Sequence, residues 1–249
     1  MRIMPNPDVT IVVPAYNEEA SLRPTVTAVT AKLRELGKTY EVLVVDDGST
    51  DATADVARAL TADDPAVRLI SHARNQGPGS GVVTGIGHAT GDAILFVPAD
   101  LAMDLADLHK YFDAAEEADV VVGLRSDRRD YSAFRKLVSV VNIALLRVLF
   151  GMQLRQFNYI HLYKRHIFER IEIESRGVFM TAEVLIKARD LGYRLTEVEI
   201  GYVARETGTA SCGKLSVIVR AVWDMARFWV RRAWRRVRGA KPGPCGRKS

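Results

Sequence analysis

Residues 41–51 read EVLVVDDGSTD, and residues 9–19 read VTIVVPAYNEE. In each, a β-branched apolar run (Val9 to Val13, Glu41 to Val45) stops abruptly in turn residues, Pro14 in the first and Asp46-Asp47-Gly48 in the second. Apolar runs without polar alternation describe strands covered on both faces, and such strands belong to parallel sheets flanked by helices. The flanking sequence agrees. Glu18 to Leu36 has helical spacing, and Ser49 to Leu60 reads as a helix opened by Ser49, Thr50 and Asp51. Val67 to Ser71, Ala93 to Val97 and Asp119 to Gly123 are further strand candidates, with helical patterns at Gly81 to Thr90 and Leu105 to Ala118 between them. The expected fold class is α/β, with a mostly parallel sheet.

In sheets of this kind ligands sit outside the carboxyl ends of the strands. The unusual residues fall there: Tyr16-Asn17-Glu18 after the first strand, Asp46-Asp47 after the second, and Ala99-Asp100 after the fourth. Any one of these loops could be a helix cap, which is the ordinary role of a Ser49 or an Asp51. Three at one edge point to a site. A carboxylate-lined crevice suits diphosphate only if a divalent cation bridges the two, while the acids can accept from nucleobase N–H and ribose hydroxyl groups. A glycine-rich turn after the first strand, which a P-loop or dinucleotide site needs, is replaced by Pro14-Ala15-Tyr16-Asn17. The pattern describes a nucleotide-sugar site.

The blocks Val12 to Glu19 and Val44 to Asp51, followed by Arg74-Asn75-Gln76-Gly77, Gly85 and Gly91-Asp92, resemble glycosyltransferase family 2, of the GT-A fold. The resemblance implies that Pro14, Tyr16 and Glu18 flank the nucleotide. It implies that Asp46, with Asp47 beside it, meets the base, and that Asp100 holds Mg2+ or Mn2+ on the donor diphosphate. The family usually shows Asp-x-Asp at the third motif, often with Gln two residues on. This chain has Pro98 in place of the first Asp and Ala102 where Gln is common. Metal binding should therefore lean more on the donor's own phosphates. Asp104 could contribute, although a helix N-cap is its more ordinary role.

In the second half the resemblance narrows to the branch that glycosylates polyprenyl phosphates, such as dolichol-phosphate mannosyltransferases. It rests on Gly123-Leu124-Arg125, Arg135, Ser139, Asn142, Phe179, Glu183, Lys187, Gly192-Tyr193, Glu197 and Arg205-Glu206-Thr207-Gly208. By that likeness Arg125, Arg135 and Arg205 would bind an anionic acceptor and offset developing charge. The stretch Arg155-Gln156-Phe157-Asn158-Tyr159 has no acid where many relatives place one. A phosphate acceptor is already ionised and needs no general base. Asp130 and Glu183 are the remaining candidates for a base, and Glu183 could equally be structural.

Composition sets the outer limits. Of 249 residues, 48% are hydrophobic and 26% charged, too apolar for a disordered chain, and Gly, Pro and Cys are too few for collagen-like, mucin-like or disulfide-stapled classes. Cys212 and Cys245 form no motif, so a reducing compartment is expected. The net charge of +5 is unevenly spread. From Cys212 to Ser249 eleven Lys/Arg face Asp224 alone, which leaves the preceding residues net acidic. A basic segment on an acidic body seeks an anionic partner. Nucleic acid is disfavoured, because the body lacks aromatic platforms or a known module.

On a helical wheel Leu215 to Val237 separates Leu215, Ile218, Val222, Trp223, Met225, Trp229, Val230, Ala233, Trp234 and Val237 from Arg220, Asp224, Arg227, Arg231 and Arg235. This pattern suits either an interfacial helix or one packed on the body, with the membrane favoured from Phe228 to Arg238. The first eight residues lack a signal-peptide stretch, and no apolar run approaches the roughly 18–20 residues of a spanning helix. The expected organisation is a GT-A domain over 1–211, a basic amphipathic helix over 212–238 and a disordered tail over 239–249. The expected location is cytoplasmic, peripheral at the inner face of the cell membrane.

The expected activity is metal-dependent, inverting transfer of a sugar from a UDP- or GDP-linked donor to a polyprenyl phosphate. Two alternatives stand beside it: a family-2 transferase acting on a soluble acceptor, and a non-catalytic nucleotide-sugar-binding module.

Overall fold

A computed structural model describes residues 5–127, 133–203 and 215–237. Its strands are β1 (Val9–Ala15), β2 (Tyr40–Asp46), β3 (Val67–Ser71), β4 (Ala93–Phe96), β5 (Val120–Arg125), β6 (His161–Lys164) and β7 (Leu195–Ile200). Its helices are α1 (Leu22–Glu35), α2 (Thr53–Asp63), α3 (Pro78–His88), α4 (Leu108–Ala115), α5 (Ala133–Phe150), α6 (Met180–Asp190) and α7 (Leu215–Val237). They build one seven-stranded sheet in the order β3-β2-β1-β4-β6-β5-β7. All pairings are parallel except those of β6, which runs antiparallel to both β4 and β5. The fold is the expected mostly parallel α/β sheet, and the five strands expected from periodicity are all present.

Burial explains the apolar runs. Val9, Ile11, Val12, Val13 and Val42 to Val45 are all fully buried, because β1 and β2 are covered on both faces. One core cluster joins alternate strand residues to Leu22, Val26, Val29 and Leu33 of α1 and Leu108 and Tyr111 of α4. A second joins Val120 and Val122 of β5 to Leu146 and Phe150 of α5, Val184 and Leu185 of α6, and Met225 and Phe228 of α7. Helix α3 lies close against β1. A Cβ on its Gly85 would stand 2.3 Å from Val12 Cγ1, so no larger residue fits without moving the helix off the sheet.

Helix α1 begins at Leu22, later than its periodicity suggests, because the preceding residues are tied into turns. The Glu18 N–H donates to Thr53 Oγ1 at 2.7 Å, and Glu19 Oε2 accepts from the Ala52 N–H at 2.9 Å. Helix α7 spans the expected residues, and one side of it packs on the body. Phe228 is buried against Phe150 and Phe179, with ring centroids 5.7 and 5.6 Å away. Arg231 pairs with Glu174 and Arg232 with Asp190. Acids on the body hold these arginines, while Trp229, Val230 and Trp234 stay exposed on the helix. Residues 239–249 lie outside the described residues.

Candidate active site

The sheet register lines up the three polar loops. Ala15 at the end of β1 lies beside Asp46 at the end of β2, and the Asp47 N–H continues the ladder to the Ala15 carbonyl at 2.9 Å. On the other side the Val97 N–H donates to Val12 O at 3.0 Å, so the chain leaving β4 for Asp100 runs alongside β1. Tyr16, Asp46 and Asp100 thus stand at consecutive strand ends of one edge.

Side chains then lace the loops together. The Asn17 N–H donates to Ser49 Oγ at 3.0 Å, and Asn17 Oδ1 accepts from the Thr50 N–H at 2.9 Å. Asn17 adopts φ 55°, a left-handed conformation that Asn tolerates better than most residues. Pro14 is half-buried on β1, and Tyr16 is 44% exposed just beyond its end. Glu18 Oε2 accepts from Ser21 Oγ at 2.5 Å.

The two adjacent acids at the end of β2 do different work. Asp46 is buried, and its Oδ1 accepts the Ser49 N–H at 3.0 Å, closing the turn. Asp47 faces the other way: Oδ1 lies 2.6 Å from His72 Nδ1, and the carboxylate accepts the N–H groups of Gln76 and Gly77 at 2.9–3.1 Å. The Asp47 carboxylate is thereby engaged by the 72–77 loop. His72 Nε2 continues to Thr84 Oγ1 of α3 at 2.9 Å. At Gly48 (φ +72°) a Cβ would fall 2.6 Å from the Arg74 carbonyl carbon, so the two loops touch backbone to backbone.

Asp100 sits half-buried in a turn closed by the Leu101 N–H and Pro98 O at 3.0 Å. Leu101 is held at φ 43°, a conformation that costs a branched residue energy and persists only where the surroundings impose it. Thr25 Oγ1 donates to Ala99 O at 2.7 Å from α1. Asp104 accepts the Ala106 N–H at 2.9 Å and so acts as a cap. Among the described residues no three His, Cys, Asp or Glu side chains cluster as metal ligands. That donor set does not fit a resident protein-only metal. It fits a Mg2+ or Mn2+ ion that takes one carboxylate from the protein and its other ligands from diphosphate and water.

Arg125 stands at the end of β5. It is 9% exposed, its guanidinium lies 3.2 Å from the centroid of the Tyr202 ring, and its Nε donates to Asp127 O at 2.6 Å. Gln156 brackets its backbone, accepting from the Arg125 N–H at 3.2 Å and donating to Arg125 O at 3.1 Å. Tyr159 joins this half to the Asp100 loop, its hydroxyl lying 3.0 Å from Ala102 O and 3.3 Å from Gly201 O. Sequence reasoning did not single out Tyr202, Gln156 or Tyr159 as supports. Gln156 and Tyr159 lay in a stretch noted only for lacking an acid, and Tyr202 carried no signal. Arg135 lies in the first turn of α5, where only its backbone is described, and Arg205 and Asp130 lie outside the described residues.

Glu183 is fully buried, and its carboxylate accepts the N–H groups of Glu174 and Ser175, both at 2.8 Å, and Lys187 Nζ at 2.7 Å. It holds a loop and pairs with a lysine, which is the structural role. The buried His161 at the start of β6 braces the 157–161 segment. Its Nδ1 accepts the Gly123 N–H at 3.2 Å and its Nε2 donates to Phe157 O at 3.1 Å. Burial lowers its pKa to about 4.

Comparisons with known proteins agree with this architecture. The profile of Glycosyl transferase family 2 matches residues 10–175. The undecaprenyl-phosphate 4-deoxy-4-formamido-L-arabinose transferase of Serratia proteamaculans is 32% identical over 87% of this chain and 66% of its own. The enzyme of the same name from Pectobacterium carotovorum is 31% identical over 85% of this chain and 64% of its own. The chain thus spans about two thirds of the length of these curated relatives. Among solved structures, glucosyl-3-phosphoglycerate synthase from Mycobacterium tuberculosis in complex with UDP superposes with a TM-score of 0.68 at 20% identity, covering 87% of this chain and 78% of that one. The same enzyme with Mn2+, UDP and phosphoglyceric acid gives 0.64 at 20% identity, covering 82% and 72%. At that identity the likeness is one of fold, whereas the profile covers most of the chain: the chain belongs to glycosyl transferase family 2.

Proposed function

We propose that this chain is a metal-dependent, inverting glycosyltransferase that moves a sugar from a UDP- or GDP-linked donor to a polyprenyl phosphate. The observation that carries the reading is the row of laced loops at one sheet edge. It sets Asp46 and Asp100 at neighbouring strand ends, and the nearly buried, aromatic-backed Arg125 ends β5 of the same sheet. The names of the relatives, which specify an undecaprenyl-phosphate substrate, support the acceptor class.

In this reading Pro14, Tyr16 and Glu18 flank the nucleotide, Asp46 accepts from the base, and Asp47 shapes the 72–77 loop beside it. Asp100 would hold Mg2+ or Mn2+, which when bound would offset charge on the leaving diphosphate. Arg125, with Arg135 and Arg205, orients the acceptor phosphate so that its oxygen attacks the anomeric carbon opposite the departing diphosphate. One bond forms as the other breaks, and the anomeric configuration inverts. The acceptor oxygen is already an anion, so no general base is required, in keeping with the structural engagement of Glu183. Residues 1–211 form the catalytic unit, and 212–238 bring it peripherally to the inner face of the cell membrane. Among the described residues no helix is long and apolar enough to cross a bilayer.

The test is incubation of the full chain with Mn2+ or Mg2+, a panel of UDP and GDP sugars, and a short polyprenyl phosphate. A glycolipid is expected with one donor, and Asp100→Ala should lower turnover at least about a hundredfold at unchanged thermal stability. Absence of glycolipid with every donor, or an Asp100→Ala variant as active as the parent, refutes the reading.

A further inference from the structure

Asp47, just past β2, His72, just past β3, and Thr84 of α3 form a line of hydrogen bonds. Asp47 Oδ1 lies 2.6 Å from His72 Nδ1, and His72 Nε2 lies 2.9 Å from Thr84 Oγ1. The Asp47 and His72 side chains are only 7 and 9% exposed. A carboxylate can only accept, so Nδ1 donates to it, and Nε2 of the uncharged ring accepts from the Thr84 hydroxyl. That hydroxyl fixes which ring nitrogen carries the proton. The imidazole supplies Asp47 with a third donor group, beside the N–H groups of Gln76 and Gly77.

Both ends of the line are anchored on rigid structure. Thr84 adjoins Gly85, where α3 approaches Val12 of β1 too closely for a Cβ, and at Gly81, one turn earlier, a Cβ would stand 3.0 Å from Pro14 Cβ. Asp47 itself is tied by its N–H to Ala15 O of β1 at 2.9 Å. The loop between these anchors has little of its own to hold it. Ala73, Arg74, Asn75 and Gln76 are all exposed, so it has no apolar anchor and hangs on polar contacts. It also touches the turn that carries Asp46: the His72 N–H donates to Asp46 O at 2.9 Å, and the Arg74 backbone lies against Gly48.

We infer that His72, braced by Thr84, is a positioning residue for the donor nucleotide. Its role is to hold Asp47 against the Gln76 and Gly77 N–H groups, so that the 72–77 loop keeps one shape beside Asp46 before any ligand arrives. Nucleotide binding then has less loop ordering to offset, and the gain appears in affinity rather than in the chemical step. The inference rests on the donor reading, which places the nucleotide at Asp46.

The experiment is titration calorimetry of the full chain with UDP and with GDP, each with Mn2+, on the parent, His72→Ala, His72→Asn and Thr84→Val. Amide hydrogen exchange is read at Gln76 and Gly77 in the same proteins. His72→Ala should bind the parent's nucleotide about tenfold more weakly, and both amides should exchange faster by a similar factor. Asparagine places an N–H near the position of Nδ1, so His72→Asn should recover to within about threefold of the parent. Thr84→Val keeps the shape and removes the brace, and should bind about threefold more weakly. In turnover the donor KM should carry the loss, with kcat and acceptor KM within about twofold of the parent, whereas a general loosening of the fold would move all three. The inference is overturned if His72→Ala binds as tightly as the parent, or if His72→Asn does no better than His72→Ala, which would make the ring a packing element. Should His72→Ala not fold, Thr84→Val decides: parent affinity with parent exchange at Gln76 and Gly77 overturns the inference. A parent that binds neither nucleotide sinks the donor reading and this inference with it, whereas parent binding that His72→Ala leaves intact sinks this inference alone.

Discussion

Lowering the pH should loosen the segment beside the Asp100 loop through His161. The ring is fully buried, and its two nitrogens are used in opposite senses: Nδ1 accepts from Gly123 N–H and Nε2 donates to Phe157 O. A second proton would have to sit on Nδ1, facing a donor, in a buried site. Desolvation accordingly lowers the folded pKa to about 4 from 6.5. Between those values the unfolded chain binds a proton that the folded chain does not, so stability falls as pH drops through that window and this contribution levels off below pH 4. At about 1.4 kcal/mol per pH unit the loss amounts to roughly 3 kcal/mol. The segment that gives way carries Tyr159, whose hydroxyl ties the Asp100 loop to Gly201. Urea unfolding of the parent and of His161→Gln at pH 7, 5.5 and 4.5 measures the effect. Glutamine can accept from Gly123 and donate to Phe157 without titrating. The carboxylates contribute alike to both proteins, so the difference in their pH slopes isolates the histidine. Equal slopes would refute the argument.

Two substitutions separate support from chemistry. Glu183→Gln should lower stability by roughly 1–3 kcal/mol, seen as a melting shift of several degrees, because Lys187 loses its buried counter-charge. Its turnover should stay within about threefold of the parent, whereas loss of turnover at unchanged affinity would make Glu183 the base. Tyr202→Ala removes the ring beneath Arg125, an interaction worth about 0.5–2 kcal/mol, and should raise the acceptor KM about 2- to 30-fold. Donor affinity should be unchanged, and an effect on the donor alone would place Arg125 elsewhere in the reaction.

The parts of the site legible in sequence were those where one chemical requirement dominates a short stretch. An apolar run ending in Asp46-Asp47-Gly48 has little choice but to be a covered strand that stops at a turn, and β1 and β2 are just that. The supports of Arg125 were not legible. Tyr202, Gln156 and Tyr159 lie 77, 31 and 34 residues from it along the chain, and no local pattern distinguishes them from surface polar residues. Strand β6 carried no signal either. Four residues with mixed character, His161 to Lys164, become a strand only because β4 and β5 present free edges to them. The adjacent acids show the same limit: sequence treats Asp46 and Asp47 as a pair, while strand alternation sends one to Ser49 and the other to the 72–77 loop.

Helix α7 marks the boundary between the two kinds of information. Periodicity alone establishes that residues 215–237 form an amphipathic helix, and composition alone establishes that it is basic, because both properties are local sums along the chain. Which arginines face lipid and which face protein depends on where acids stand in space. Glu174 and Asp190 come from the distant loop and helix on which α7 lies, so only the tertiary structure assigns Arg231 and Arg232 to the body. The exposed apolar residues of α5, among them Leu137 and Val148, belong to the same class. Sequence shows only that the helix is apolar, and packing alone shows that the core takes its share from the opposite side.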